Sequence, residues 1–431
     1  MNDILPTEAR RWRKLEAIFR RDAELYGFGE VRTPILEDTL LFEKEIGETS
    51  DVVEKEMYSF ERHGDRLTVR PEGTAGAARA FVEHGVAAKE PVSRWYYLGP
   101  MFRGERPAKG RYRQFYQAGC EVFGDAGPIC DAEVIELAVR ILRDLGLRDL
   151  SVHINSLGSP EVRPRYRDAL REFLSPRKSE LSEDSQRRLD KNPLRILDSK
   201  DPADQAIAAQ APTIVDLLDD ADREHFDGLR RALDALGIEH IVEPRLVRGL
   251  DYYTRTLFEI KATAADLGAQ NTVCGGGRYD GMVKSLGGAD CPAIGFAMGL
   301  ERILLAAAFD GDADPPPIYV AALGPRAIAP MLKLTRAMRD RGLSVELDAR
   351  DTKLKNMLRR ADGRGARFFV LAGEDELAAG KIELKDLAAR TQTSIALEGG
   401  FDSGAALEHA ADRVRDLARE PAATTIEGSS R

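Results

Sequence analysis

The stretch Trp95–Gly124, WYYLGPMFRGERPAKGRYRQFYQAGCEVFG, reads as strand, loop, strand. Its flanks are aromatic and apolar. Its middle carries Arg103, Arg106, Lys109, Arg111 and Arg113, set among the turn residues Gly104, Pro107 and Gly110. Side chains alternate faces along a strand. The second strand therefore sorts Gln117, Gly119 and Glu121 onto one face, and Ala118, Cys120 and Val122 onto the other. On the first strand Gly99 and Arg103 share a face, opposite Leu98 and Phe102. Each strand thus sets a glycine beside a hydrogen-bonding group. Glycine weakens a strand interior unless something approaches its backbone closely. The polar face reads as the floor of a small-molecule site, and the arginine-rich loop as its anion-handling rim. The plain alternative is a basic, solvated surface hairpin.

Working outward, residues 7–27 repeat Trp12, Leu15, Ile18, Phe19 and Leu25 near the helical period, with Thr7 as the cap after Pro6. EVRTPILED (30–38) predicts a strand interrupted by proline. Residues 57–60 and 67–70 predict two strands joined by a turn through His63, Gly64 and Asp65. RPEGTAGAARAFVEHG (70–85) reads as a strand end entering a helix. Glu72 at that junction is also ordinary first-turn dipole chemistry. Cys130–Leu145 is an amphipathic helix, and SVHINSLG (151–158) a strand ending in a turn. Residues 159–240 are almost all helix-forming, broken by NPLRILDSKDP (192–202). They read as an inserted helical module, or as helices that brace the fold. AAFDGDADPPP (307–317) is linker-like. Beyond it, strand and helix alternate, which predicts a mostly parallel sheet covered by helices, with IELKDL (382–387) as its last strand. The tail 419–431 predicts disorder.

At 431 residues the chain has room for two to four domains, and 43% apolar content is ordinary for packed cores. No apolar run approaches the roughly 18 residues of a membrane span. The N-terminus lacks the apolar core of a secretory signal. Both point to the cytosol. The four cysteines, Cys120, Cys130, Cys274 and Cys291, form no C-x-x-C pair, so no metal site is expected. The net charge of −9 excludes gripping RNA by overall attraction; such contact must use local patches, and the 103–113 loop is one.

FRGERPAKGRYRQFYQAGCEVFG (102–124) is similar to motif 2 of class II aminoacyl-tRNA synthetases, in the form found in histidyl-tRNA synthetases. LVRGLDYYTRTLFE (246–259), GGGRYDGM (275–282) and AIGFAMGLERILL (293–305) resemble the same family, and the likeness runs over about residues 2–397. It implies an α+β catalytic domain on a mainly antiparallel sheet, the class II synthetase fold. That domain would comprise residues 1–158, with motifs 1 and 2, and 241–307, with the histidine motifs and motif 3. A helical insertion at 159–240 would divide it. A linker at 308–317 would lead to a C-terminal α/β anticodon-binding domain at 318–418. The resemblance further implies a cytoplasmic homodimer built through motif 1, and ligation of L-histidine to tRNA(His) using ATP with Mg2+.

Forming an aminoacyl-adenylate needs a carboxylate held in line with the α-phosphorus of ATP, and fixed cations for the developing charge. Arg103, Arg248 and Arg302 come from separate elements, and arginine's planar fork meets phosphate oxygens in pairs while staying charged. Judged singly, each is an ordinary surface group. By the resemblance, Arg248 and Arg103 would be catalytic, and Arg103, Glu105, Arg111, Arg113 and Arg302 would hold ATP. Glu72, Gly73, Thr74, Gln117, Glu121, Tyr252 and Tyr253 would hold histidine, with Glu121 and Tyr253 on the imidazole. Arg106 and Lys109 would meet the tRNA acceptor end. Gly275–Gly277 would let the backbone approach the ligand. The chain departs from many bacterial members at Gly104, Ala108 and Tyr116. Neither G-x-G-x-x-G nor G-x-x-x-x-G-K-[ST] occurs, so the common phosphate loops are excluded. Two alternatives remain beside this reading. One is the regulatory relative of histidine biosynthesis, which normally lacks the C-terminal domain. The other is a non-catalytic RNA-binding protein on the same fold.

Overall fold

The computed structural model describes residues 2–47, 50, 52–263, 271–307, 309, 317–350 and 353–419. It divides into two units, Met1–Asp312 and Ala313–Arg431. The first unit opens with α1 (Pro6–Leu25), which buries the stripe Trp12, Leu15, Phe19 and Ala23. Leu5, not Thr7, occupies its cap position, with no side-chain cap bond. Pro6 presets the first turn and needs no amide partner there, so Thr7 is drawn inside the helix. The EVRTPILED segment forms two short strands, β1 (Gly29–Glu30) and β2 (Leu36–Asp38), on either side of Pro34. There follow α2 (Thr39–Ile46), β3 (Tyr58–Arg62), β4 (Asp65–Val69), α3 (Thr74–Glu83), β5 (Ser93–Phe102), β6 (Gln114–Phe123), α4 (Pro128–Asp144) and β7 (Leu150–Ser156). The chain is then helical through α5 (Val162–Leu174), α6 (Glu183–Lys191), α7 (Pro202–Ala208) and α8 (Asp220–Ala235). The unit ends with β8 (His240–Val242), β9 (Thr254–Ala262), β10 (Thr272–Arg278), α9 (Met282–Ser285), β11 (Ala293–Gly299) and α10 (Leu300–Ala306).

Eight of these strands form one sheet in the order β1-β5-β6-β11-β10-β9-β7-β8. Its five central pairings are antiparallel, and only the two edge pairings are parallel. One face carries Ala118, Cys120, Val122, Ile294 and Met298, which pack with α1, α4 and α8 in the main core. Beneath that face a wholly buried Arg278 pairs with Asp131 at 2.6 Å, and Asp131 also accepts from His225 and Thr256. The other face is left for the site.

The small sheet β2-β4-β3 has inverted amphipathicity. Its pairing register puts Leu36, Tyr58 and Val69 in one row and Phe60 with Leu67 in the next, all on one face. Leu36, Tyr58 and Phe60 are 47%, 40% and 45% exposed. The polar Thr68 points the other way, is fully buried, and bonds Thr39 Oγ1 at 2.8 Å.

The second unit holds β12 (Ile318–Ala322), α11 (Pro325–Asp340), β13 (Val345–Asp348), α12 (Leu354–Gly363), β14 (Phe368–Ala372), α13 (Glu374–Ala378), β15 (Lys381–Asp386), β16 (Thr391–Ala396) and α14 (Gly404–Arg419). Its sheet order is β13-β12-β14-β15-β16. Only β12–β13 and β12–β14 are parallel, so the expected mostly parallel sheet is in fact half antiparallel. The sequence reading ended one strand too soon because β16 leaves five of its six residues exposed and carries no apolar alternation. The predicted linker 308–317 falls mostly outside the described residues, as does the tail beyond Arg419.

Candidate active site

Strand register explains the floor of the site. Tyr97, Gly119, Ala297, Gly275 and Glu259 align across β5, β6, β11, β10 and β9. The next row holds Trp95, Glu121, Gly295 and Gly277. Directly paired residues share a face. Apart from Gln117 and Glu121 on β6, the three central strands therefore raise little above their backbone in these rows. The protein's own side chains lie in that space. A Cβ on Gly119 would overlap the Tyr97 ring, and one on Gly295 the Glu121 carboxylate. One on Gly275 would stand 2.7 Å from Arg248 Cζ. Gly99 makes room for Arg70, which donates to the carbonyls of Pro100 and Thr33 at 3.0 Å each. Gly275, Gly295 and Gly299 line the cleft with their backbone, and Gly275 and Gly295 also leave the space that the Arg248 and Glu121 side chains occupy.

Glu121 is fully buried at the centre. Its carboxylate accepts from Thr74 Oγ1 at 2.8 Å, Tyr97 OH at 3.2 Å and Tyr279 OH at 2.5 Å. Burial pushes its pKa up to about 8, the hydroxyls pull it down, and neighbouring Glu72 adds to the rise. Glu72 closes the N-terminus of α3, accepting from the amides of Thr74 at 2.7 Å and Ala75 at 2.8 Å. Burial raises its pKa too. Tyr252 and Tyr253 lean together with ring centroids 4.6 Å apart, and Tyr252 meets the Tyr279 ring edge-on at 5.8 Å.

The cations arrive from three directions. Arg103, just past β5, donates to the Pro71 carbonyl at 2.9 Å and lies over the Phe115 ring at 5.3 Å. Arg248, from the loop before β9, pairs with Glu259. Arg302, on α10, donates to the carbonyls of Thr272 at 3.1 Å and Gly110 at 3.3 Å. Arg111 pairs with Glu105 at 3.1 Å. Burial lowers the pKa of Arg302, and repulsion from Arg111, Arg248 and Arg103 lowers it further. Glu301 accepts from the Tyr116 amide at 3.0 Å, and burial lifts its pKa to about 7.

One cleft is lined by Glu72, Thr74, Arg103, Glu105, Arg111, Gln117, Glu121, Arg248, Tyr252, Tyr253 and Arg302. Gly73 lies beneath the Tyr97 ring instead. Arg113 is exposed and outside the lining, offering only its carbonyl to the Arg103 amide at 2.9 Å. Arg106 and Lys109 are exposed on the loop. Four residues were not singled out from sequence: Tyr97, Glu259, Tyr279 and Glu301. Each lies inside a quoted motif. Extending the alternation from Gly99 back two places was signal enough for Tyr97.

An antiparallel sheet in one unit, a separate α/β unit, and arginines from three distant segments around one cleft define a class II aminoacyl-tRNA synthetase. Residues 1–303 match the family model described as histidyl-tRNA synthetase, and residues 318–402 match the anticodon binding domain. The chain is 63% identical over 399 residues to a histidine–tRNA ligase of Sorangium cellulosum, covering 93% of both chains. It is 48% identical over 397 residues to one from a Picosynechococcus species, covering 91% of this chain and 93% of that one. Its fold is similar to the apo histidyl-tRNA synthetase of S. aureus, with a TM-score of 0.77 and 33% identity, covering 93% and 97% of the two chains. The chain belongs to the histidyl-tRNA synthetase family. Its reaction activates L-histidine with ATP to histidyl-adenylate and pyrophosphate, then transfers histidine to tRNA. The regulatory and non-catalytic alternatives give way to it.

Glu121 yields a pH test. Its folded pKa of about 8 lies above the ordinary 4.5, so the folded state holds the proton more tightly than the unfolded one. This group's stabilising contribution is full below 4.5 and is lost as pH rises towards 8. Glu121→Gln is therefore expected to flatten the fall in unfolding free energy across that window. Urea titrations at stepped pH check it, and an unchanged slope would contradict the burial argument.

Proposed function

We propose that the cleft seats the imidazole of histidine against Glu121 and Tyr253, with Tyr279 and Thr74 fixing the carboxyl group. A carboxyl poised near neutrality accepts from a ring N–H or donates to a bare ring nitrogen, so it matches either tautomer. The α-amino group lies at Glu72, Thr74 and Gln117. Gln117 Oε1 is buried without a hydrogen-bond partner, an acceptor suited to an ammonium donor. A buried polar set of this kind rejects analogues that leave it unpaired.

Histidine's carboxylate oxygen attacks the α-phosphorus, the bond to the β-phosphate bridging oxygen breaks, and pyrophosphate leaves. Arg248, fixed on Gly275 by Glu259, stabilises charge at the α-phosphate. Arg103, Arg111 and Arg302 meet the remaining phosphates, and Phe115 offers a flat face to the purine. Magnesium carried with ATP would supply positive charge to offset the outer phosphates. Of the four carboxylates lining the cleft, Glu105 and Glu301 are the two beside the arginines of the phosphate side, and they would hold it. In the second step the terminal ribose hydroxyl of tRNA attacks the acyl carbon and AMP departs. Arg106 and Lys109 guide that end. The observation that carries this reading is the convergence of Arg103, Arg248 and Arg302 on the cleft that also holds Glu121.

A homodimer accounts for the outward apolar face of β2-β4-β3, where the second copy supplies the missing cover. The four cysteines are buried thiols, which suits the reducing cytoplasm. Replacing Arg248 by Ala is expected to slow histidine-dependent ATP–pyrophosphate exchange by roughly 100-fold or more while histidine affinity holds. Unchanged exchange removes Arg248 from the mechanism. In sedimentation, the native protein should run as a dimer and Phe60→Arg as a monomer; a monomeric native protein refutes the interface.

A further inference from the structure

The loop 243–253 carries Arg248, Tyr252 and Tyr253 yet forms no helix or strand. Its backbone polar groups must find partners elsewhere. The helical segment between β7 and β8 supplies several. Arg195 donates to the carbonyl of Arg248 at 3.1 Å and runs along Gly249, where a Cβ would lie 3.3 Å from its Nη1. Arg163, on α5, donates to the carbonyls of Asp251 at 3.2 Å and Tyr253 at 3.0 Å. Asn192 donates through Nδ2 to the Asp251 carboxylate at 3.2 Å and 3.4 Å. Arg195 and Asn192 are buried, and none of the three lines the cleft.

We propose that Arg195 is a positioning residue for Arg248, with Arg163 and Asn192 completing a clamp on the same loop. The helical insertion is then part of the catalytic machinery in the activation step, before any tRNA arrives. Two observations favour Arg195 as the key member. It grips the backbone of Arg248 itself. And Arg248 Nε has no hydrogen-bond partner, so the Glu259 pair and the held backbone are what aim the guanidinium. A misplacement of about 1 Å in such a group can cost on the order of 100-fold in rate. The inference rests on the proposed role of Arg248.

The test uses the full chain and ATP–pyrophosphate exchange, at enzyme concentrations high enough to follow residual rates. Arg195→Ala is expected to lower kcat by about 10- to 100-fold, with KM for histidine and ATP moved less than about threefold. In an Arg248→Ala background, adding Arg195→Ala should cost less than about threefold more, because the effect passes through Arg248. An undiminished kcat overturns the clamp, and so do losses that multiply in the double variant. Should Arg195→Ala unfold, Asn192→Ala removes one amide contact and is read the same way: a lower kcat at constant KM supports the clamp, and an unchanged kcat overturns it. The two failures separate cleanly. A fully active Arg248→Ala enzyme sinks the role of Arg248 itself, whereas an inactive Arg248→Ala beside a fully active Arg195→Ala sinks only the clamp.

Discussion

The close approach of side chains to bare backbone is the contact on which this site depends. Tyr97 lies on Gly119, Glu121 on Gly295 and Arg248 on Gly275, each where a Cβ would collide. Glycine in a strand costs roughly 0.5–1 kcal/mol against alanine, so Gly119, Gly275, Gly277, Gly295 and Gly299 together cost about 2.5–5 kcal/mol. That is a large share of the roughly 5–15 kcal/mol by which a folded domain is stable. The opposite face of the same strands offsets it, burying Ala118, Cys120, Val122, Ile294 and Met298. One sheet thus holds its stability on one side and its chemistry on the other.

Laying side chains flat has an electrostatic consequence. Glu121 is shut away from water and held near neutrality by burial against three hydroxyls. Elsewhere in the same cleft, Arg103, Arg111, Arg248 and Arg302 crowd until repulsion is felt at Arg302. The first environment suits a small aromatic base, and the second a polyphosphate. In the proposed mechanism the border between them, near Arg248, is where the carboxylate of one substrate would meet the α-phosphorus of the other.

Much of this could be read from local pattern. Alternation along β6 separated Gln117 and Glu121 from the core residues, because a strand's period is fixed by its backbone. Arg248 and Arg302 stand beside glycine-rich sequence, and with Arg103 they reach one cleft. What escaped was set by strand register and by contacts between segments far apart in the chain. Tyr97 covers Gly119 only because β5 and β6 align them, and the stretch's own alternation does not state what fills the space above a glycine. Arg195 sits in the segment that merely interrupts a helical run, and nothing local marks its reach to the Arg248 carbonyl. β16 was missed because an exposed polar edge has no apolar signature. The outward apolar face of β2-β4-β3 reads, residue by residue, like any half-buried strand.

The most direct test places a single methyl group on the floor. All three nearest neighbours of a Cβ at Gly275 belong to the Arg248 guanidinium, at 2.7, 2.7 and 3.0 Å, so Gly275→Ala displaces that group and little else. Measured as the kcat of histidyl-adenylate formation, the variant should be slower by about tenfold or more while still binding histidine. A Gly275→Ala enzyme with the native kcat would contradict the claim that bare backbone is there to seat the working side chains.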